Sequence, residues 1–230
     1  MTNSNETKKK IDTVETRKEI GFPTKEGWID SPAEFIDGEL KIAGHPVMED
    51  WEIGYMSKLA SIATKNGGRV LEVGYGLGLS ASEIQKHNIE HHVIIECHPD
   101  VIKRSMDDLR DPISEQRVNV LQGFWEDITP LLKDESFDGI LFDTYPLTEE
   151  EIHGNHFWFF EEAFRLLKKG GVLTYYSDEV SSLPESHCQK LMGAGFAKDG
   201  VEIEVVKVNP PEDCEYWQHD TIVAPKITKL

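Results

Sequence analysis

Arg69-Val70-Leu71-Glu72-Val73-Gly74-Tyr75-Gly76-Leu77-Gly78-Leu79-Ser80 decides how the rest of the chain is read. An apolar run rich in valine gives way to three glycines at alternate positions, and a helical pattern follows from about Ser80 to Lys86. A strand that ends in such a turn and feeds a helix lets a ligand approach the backbone closely. The next apolar run, His91–Glu96, closes on an acid 22 positions beyond Gly74. A carboxylate there suits the hydroxyls of a ribose. Turn and acid together do not separate a dinucleotide from another adenosine-containing cofactor. The spacing carries the argument further, because the dinucleotide fingerprint places its third glycine where this chain has Leu79. The G-x-G-x-G form favours S-adenosylmethionine.

Outward from this turn the pattern repeats. Val118–Gln122, Phe137–Phe142 and Val172–Tyr176 read as further short strands, with a helix from Phe157 to Lys168 between the last two. Val201–Ala224 lacks a strong helix and reads as a closing pair of strands. Alternation of this kind predicts an α/β fold of the Rossmann-like type, a mostly parallel doubly wound sheet covered on both faces and closed by an antiparallel strand. Upstream, Val47 to about Thr64 sets Trp51, Tyr55, Leu59 and Ile62 at helical spacing. Phe22–Pro46 mixes aromatics with Gly, Pro and acids and reads as an irregular arm. Residues 1–21 hold too little apolar surface to offset the entropy of ordering and read as a mobile tail. The expected organisation is a tail (1–21), an arm and helix covering the site (22–66) and an α/β core (67–230).

Composition narrows the function. A formal charge of −18 opposes binding to a polyanion, whose affinity comes from Lys and Arg neutralising phosphates, and suits a small cationic substrate. No apolar stretch is long enough to span a membrane and no secretory signal opens the chain, so a cytoplasmic protein is expected, as monomer or homodimer. Cys97, Cys188 and Cys214 are too few and scattered for a disulfide framework, and no metal-ligand cluster stands out.

Two carboxylates complete the reading. Asp143 follows the strand Phe137–Phe142 in Asp143-Thr144-Tyr145-Pro146 and is expected at the carboxyl edge of the sheet, where open α/β folds bind ligands. Glu52 sits beside Trp51 on the early helix, and pattern alone does not bring the two acids together. Gly123-Phe124-Trp125-Glu126-Asp127, after the third strand, offers an aromatic plane and an acceptor, or else core.

The ordered series VMEDWE (47–52), Tyr55-Met56, GGRVLEVGYG (67–76), IIEC (94–97), GFWED (123–127), FDGILFDTYPL (137–147), AFRLLKKGGVLTY (163–175) and Pro210-Pro211-Glu212-Asp213-Cys214 resembles guanidinoacetate N-methyltransferases, from about Trp28 to the C-terminus. The resemblance implies a class I methyltransferase fold with S-adenosylmethionine as cofactor. It places the cofactor against Trp28, Met48, Met56, Gly74, Tyr75, Gly76, Leu77, Gly78, Leu79, Ser80, Glu96, Cys97, His98, Trp125, Glu126 and Asp143. It gives Glu52 and Asp143 the guanidinium; because a delocalised guanidinium must lose a proton as the methyl group transfers, Asp143 is expected to accept it, with Glu52 steadying the developing charge. Where that family receives the substrate carboxylate, this chain has Asp178 and Glu179. Two acids there are expected to repel a carboxylate and attract a second cationic group. Free arginine, a decarboxylated or cyclic guanidine, an amine beside a guanidine, and guanidinoacetate are the acceptors in view. A non-catalytic S-adenosylmethionine-binding module, a nicotinamide-dependent oxidoreductase and a protein arginine methyltransferase are the competing readings.

Overall fold

The computed structural model describes residues 13–230, with side chains from Arg17 onward; residues 1–12 of the expected tail lie outside the described residues. The remainder of that tail and the arm are more ordered than their composition suggests. Thr13–Ile20 forms a helix (α1), and Lys25–Asp30 forms a second (α2) whose first turn is capped by the Thr24 hydroxyl accepting from Gly27 N at 3.0 Å. Instead of an irregular arm, the chain then builds a three-stranded antiparallel sheet from β1 (Ala33–Ile36), β2 (Glu39–Ile42) and β3 (His45–Glu49). Its two hairpins turn at Asp37-Gly38 and Ala43-Gly44, all four residues with positive φ. That is what a two-residue turn matched to strand twist requires. Because Val47–Glu49 belong to β3, the following helix (α3) starts only at Ile53 and runs to Ala63.

The main sheet contains β4 (Arg69–Val73), β5 (His91–Glu96), β6 (Val118–Gln122), β7 (Phe137–Phe142), β8 (Leu167–Tyr175), β9 (Val201–Lys207) and β10 (Thr221–Thr228). Their order is β6-β5-β4-β7-β8-β10-β9, with β10 antiparallel to both of its neighbours and the other pairings parallel. The seven strands therefore form the expected doubly wound sheet with one antiparallel closing strand. Helices α4 (Leu79–Ile84), α5 (Pro99–Asp108), α6 (Arg110–Ser114), α7 (Trp125–Ile128), α8 (Asn155–Leu166) and α9 (Glu185–Gly193) cover it. Of these, α5, α6, α7 and α9 have no counterpart in the sequence reading, and β8 starts five residues before the expected Val172.

Both faces of the central strands are buried, which is why they read as apolar runs without alternation. Leu71 and Val73 of β4 pack with Ile140 and Phe142 of β7 under Phe159, Phe160 and Ala163 of α8. On the opposite face Val70 and Leu141 meet Tyr55, Met56 and Leu59 of α3. Strand order reverses between β4 and β7, so the carboxyl ends of these two neighbours open a crevice there. No helix among the described residues is long and apolar enough to cross a membrane.

Candidate active site

At that crevice a cavity of about 280 Å³ is walled by the ends of β4, β5 and β7, by β3 and by the two N-terminal helices. Its floor is the glycine turn. Gly74 lies at φ 90°, and a Cβ on it would stand 1.9 Å from the Asp143 carbonyl oxygen. Any side chain at 74 therefore displaces Asp143. The Asp143 amide donates to Val73 O at 2.9 Å, fixing the start of the Asp143-Thr144-Tyr145-Pro146 loop against β4. The rest of the loop is pinned by Asn155, whose Nδ2 donates to Thr144 O at 2.5 Å, and by Tyr145, whose hydroxyl lies 3.0 Å from His45 Nδ1. Met48 closes the other side of the turn: its sulfur accepts from Leu77 N at 3.4 Å and would be met at 2.9 Å by a Cβ on Gly76.

Glu96 ends β5 with its two carboxylate oxygens receiving the backbone N–H groups of Tyr75 at 2.9 Å and His98 at 2.8 Å. A carboxylate has about four lone-pair sites, so two remain for ligand hydroxyls. Glu72, by contrast, is buried inside the fold, where it accepts from the Ser80 hydroxyl and lies 2.9 Å from His92 Nε2. Glu72 and Ser80 thus brace the turn from behind. Across the crevice Lys25 Nζ pairs with Glu126 Oε1 at 3.0 Å, clasping α2 to α7, while the buried Glu126 Oε2 has no partner among the described residues. An orphan acceptor of this kind is costly unless a ligand donor meets it. Together with Glu96, the open backbone at Gly74 and Gly76, and the Trp125 wall, it makes a donor set that fits S-adenosylmethionine.

The two predicted substrate acids face the same cavity. Glu52 is held by a reciprocal cap, in which Glu49 and Glu52 each accept the other's backbone N–H. The Tyr216 hydroxyl also donates to Glu52, at 2.5 Å, and both this bond and the one from Glu49 N end on Oε1. Neither engages Oε2. Burial, and then the charge of Asp143, push the Glu52 pKa up to about 8, against the pull of the Tyr216 bond. Burial, followed by the charges of Asp178 and Glu72, pushes Asp143 up to about 7. Among the described residues neither acid is paired with a cation. An entering positive charge would lower both values and favour the ionised forms, so the two carboxylates suit a cation.

The remaining predicted positions divide. Trp28, Met48, Gly74, Gly76, Glu96, Cys97, Trp125, Glu126 and Asp178 line the cavity. Met56, Tyr75, Leu77, Gly78, Leu79, Ser80 and His98 lie outside its lining; the Tyr75 ring turns into the fold, where its hydroxyl bonds Asp108 at 3.0 Å, and the His98 ring nitrogen meets Ser31 O at 2.8 Å. Trp125 reaches the cavity while packing edge-on against Phe142 and Phe159 of the core. Asp178 and Glu179 part company. Asp178, at φ 56°, faces the cavity and lies 3.5 Å from His153 Nδ1, whereas Glu179 turns away toward His187 Nδ1, also at 3.5 Å. The structure adds Arg17, Tyr145, Tyr176 and Tyr216 to the lining. No sequence pattern pointed to Arg17 or Tyr216, because each reaches the site from a segment remote in the chain.

A sequence model of the family described as guanidinoacetate N-methyltransferase matches residues 19–230. Among individual proteins, "protein arginine N-methyltransferase 2" of Aspergillus oryzae is 31% identical over 93% of this chain and 54% of its own length. Its namesake in Candida glabrata is 28% identical over 76% of this chain and 47% of its own. The chain thus spans about half the length of the curated relatives it matches. Among solved structures, spermidine synthase from Thermotoga maritima aligns with a TM-score of 0.59 at 19% identity, over 85% of this chain and 67% of that one. M. jannaschii TYW2 in complex with AdoMet aligns at 0.54 and 15%, over 87% of each chain. At these identities the structural likeness concerns the fold.

Proposed function

The chain belongs to the guanidinoacetate N-methyltransferase family, S-adenosylmethionine-dependent methyltransferases, and on that premise we propose that it methylates a nitrogen of a small guanidinium compound carrying a second positive group. The observation that carries this reading is that Glu52 and Asp143 line the same cavity, both raised by burial and neither matched by a cation among the described residues. A guanidinium presents planar N–H donors to which two carboxylates bind through charge-assisted hydrogen bonds. Glu52, turned by its cap so that Oε1 is already taken, offers Oε2. Asp143, clamped at the end of β7, offers the second acceptor.

When bound, S-adenosylmethionine supplies a sulfonium-activated methyl group. A delocalised guanidinium is a weak nucleophile, and the work of this chain's residues is to aim one nitrogen and draw its proton away. Asp143 accepts that proton on its carboxylate; a pKa near 7 places it where a general base operates best at neutral pH. Glu52, ionised once the guanidinium enters, faces the remaining guanidine nitrogens and steadies the positive charge left on them. Glu96 and Glu126 would hold the cofactor through their free acceptor oxygens. Alignment of the reacting atoms by such fixed groups is worth about 7–11 kcal/mol of barrier.

Asp178 supports the second positive group, because a carboxylate facing the cavity repels an acid and favours an amine. Isothermal titration of guanidinoacetate, arginine and agmatine into protein saturated with S-adenosylhomocysteine tests both halves. Tighter binding of the two amine-bearing compounds is expected. Preference for guanidinoacetate removes the second positive group, and failure of all three to bind removes the guanidine.

A second reading, transfer to arginine within a protein, draws on the printed names of the relatives and on Trp158, which is 67% exposed at the cavity rim. Incubation with arginine-containing peptides and labelled cofactor separates it from the first.

A further inference from the structure

The cavity also contains a cation that the preceding reading does not use. Arg17, half-buried on α1, lines the same space as Asp178, and its guanidinium carbon sits 5.0 Å from the centroid of the Tyr145 ring. That ring is a fixed platform: it stacks on Trp28 at 5.0 Å and 11°, and its hydroxyl is tied to His45. A guanidinium resting over an aromatic face keeps N–H donors for an anion, with less freedom to lose when the anion arrives.

Arg17 and Asp178 line the same cavity. Both act on His153, which Asp178 contacts at 3.5 Å and whose proton affinity Asp178 raises and Arg17 lowers. The cavity therefore presents a positive and a negative side chain besides Glu52 and Asp143, and Asp178 also acts on Asp143. A guanidine with a lone amine would leave Arg17 unanswered, and one with a lone carboxylate would leave Asp178 facing it. A head group bearing both charges answers both.

We propose that Arg17 and Asp178 together recognise an α-amino-acid head group, carboxylate on Arg17 and ammonium on Asp178, so that the acceptor is a free amino acid of the arginine type. This rests on the reading of Glu52 and Asp143 as the guanidinium site. It makes both residues specificity determinants that act at the end of the substrate away from the chemistry.

The test is a kcat/KM series on the full chain with four acceptors. These are L-arginine, agmatine (no carboxylate), 5-guanidinopentanoate (no amine) and Nα-acetylarginine amide (both ends blocked, the probe for arginine inside a peptide). Arginine is expected to exceed each of the others by roughly ten- to a hundredfold, the range of one charge-assisted hydrogen bond. In R17Q the arginine-to-agmatine ratio should collapse toward one. In D178N the arginine-to-5-guanidinopentanoate ratio should collapse instead, with the change carried by KM rather than kcat. The proposal is overturned if agmatine or the blocked amide matches arginine, or if either variant lowers all acceptors by the same factor. Absence of methylation on every guanidine is a different result, and it removes the guanidinium reading beneath the proposal.

Discussion

Asp143 and Glu52 hold protons in the folded chain at pH values where the unfolded chain has released them. Their folded pKa values of about 7 and about 8 lie above the ordinary carboxylate range, so the native state binds more protons than the unfolded state between about pH 4 and pH 8. Stability that is full below pH 4 must then be lost as pH rises through 7 to 8. Ligand-free protein should melt at a lower temperature at pH 8 than at pH 5, by roughly 10 °C if a few kcal/mol are involved. D143N, neutral throughout, should flatten that dependence. Wild type and D143N melting in parallel across the range would show that Asp143 is not held protonated. The sequence placed Asp143 at the sheet edge but gave no hint of its raised pKa, which comes from burial and from Asp178 arriving after β8. Glu52 was similarly visible as a residue type and invisible as a geometry: its orientation depends on Tyr216, 164 residues downstream.

The glycine turn is the element on which the site depends most. Gly74→Ala would put a methyl group 1.9 Å from the Asp143 carbonyl and force a residue with a side chain into φ 90°. Activity should fall at least a hundredfold, with the secondary structure seen by circular dichroism largely kept. Near-normal turnover in this variant would mean that Asp143 can move without cost. The strands of the main sheet were legible because burial on both faces leaves them as short, unbroken apolar runs, and β5, β6 and β7 occupy the expected residues. The small sheet was not, because strands of four or five residues give too few alternations to count. Its turns did carry a signal, since Asp37-Gly38 is a pair favoured in two-residue hairpins. Helix α5 was hidden by the opposite problem. Its sequence, PDVIKRSMDD, is mostly polar, and it buries only Val101 and Ser105.

At the scale of the molecule, a chain of formal charge −18 holds a cavity whose acids Glu52 and Asp143 have no cationic partner among the described residues. The field of such a chain draws small cations in, and the pocket sorts them at short range. Methyl transfer followed from the ordered motifs and the turn. The substrate end did not, because Arg17 and Asp178 are remote in the sequence and line one cavity only in the folded chain. The central claim is that Glu52 and Asp143 present a guanidino nitrogen for methylation. It is tested most directly by incubating the protein with arginine and S-adenosylmethionine carrying a trideuterated methyl group, then locating the label by tandem mass spectrometry. The account predicts label on a guanidino nitrogen. It also predicts a rate lowered about 10²- to 10⁴-fold in D143N, the range for loss of a general base, with S-adenosylhomocysteine still bound. Label on any other atom, or wild-type turnover in D143N, would contradict it.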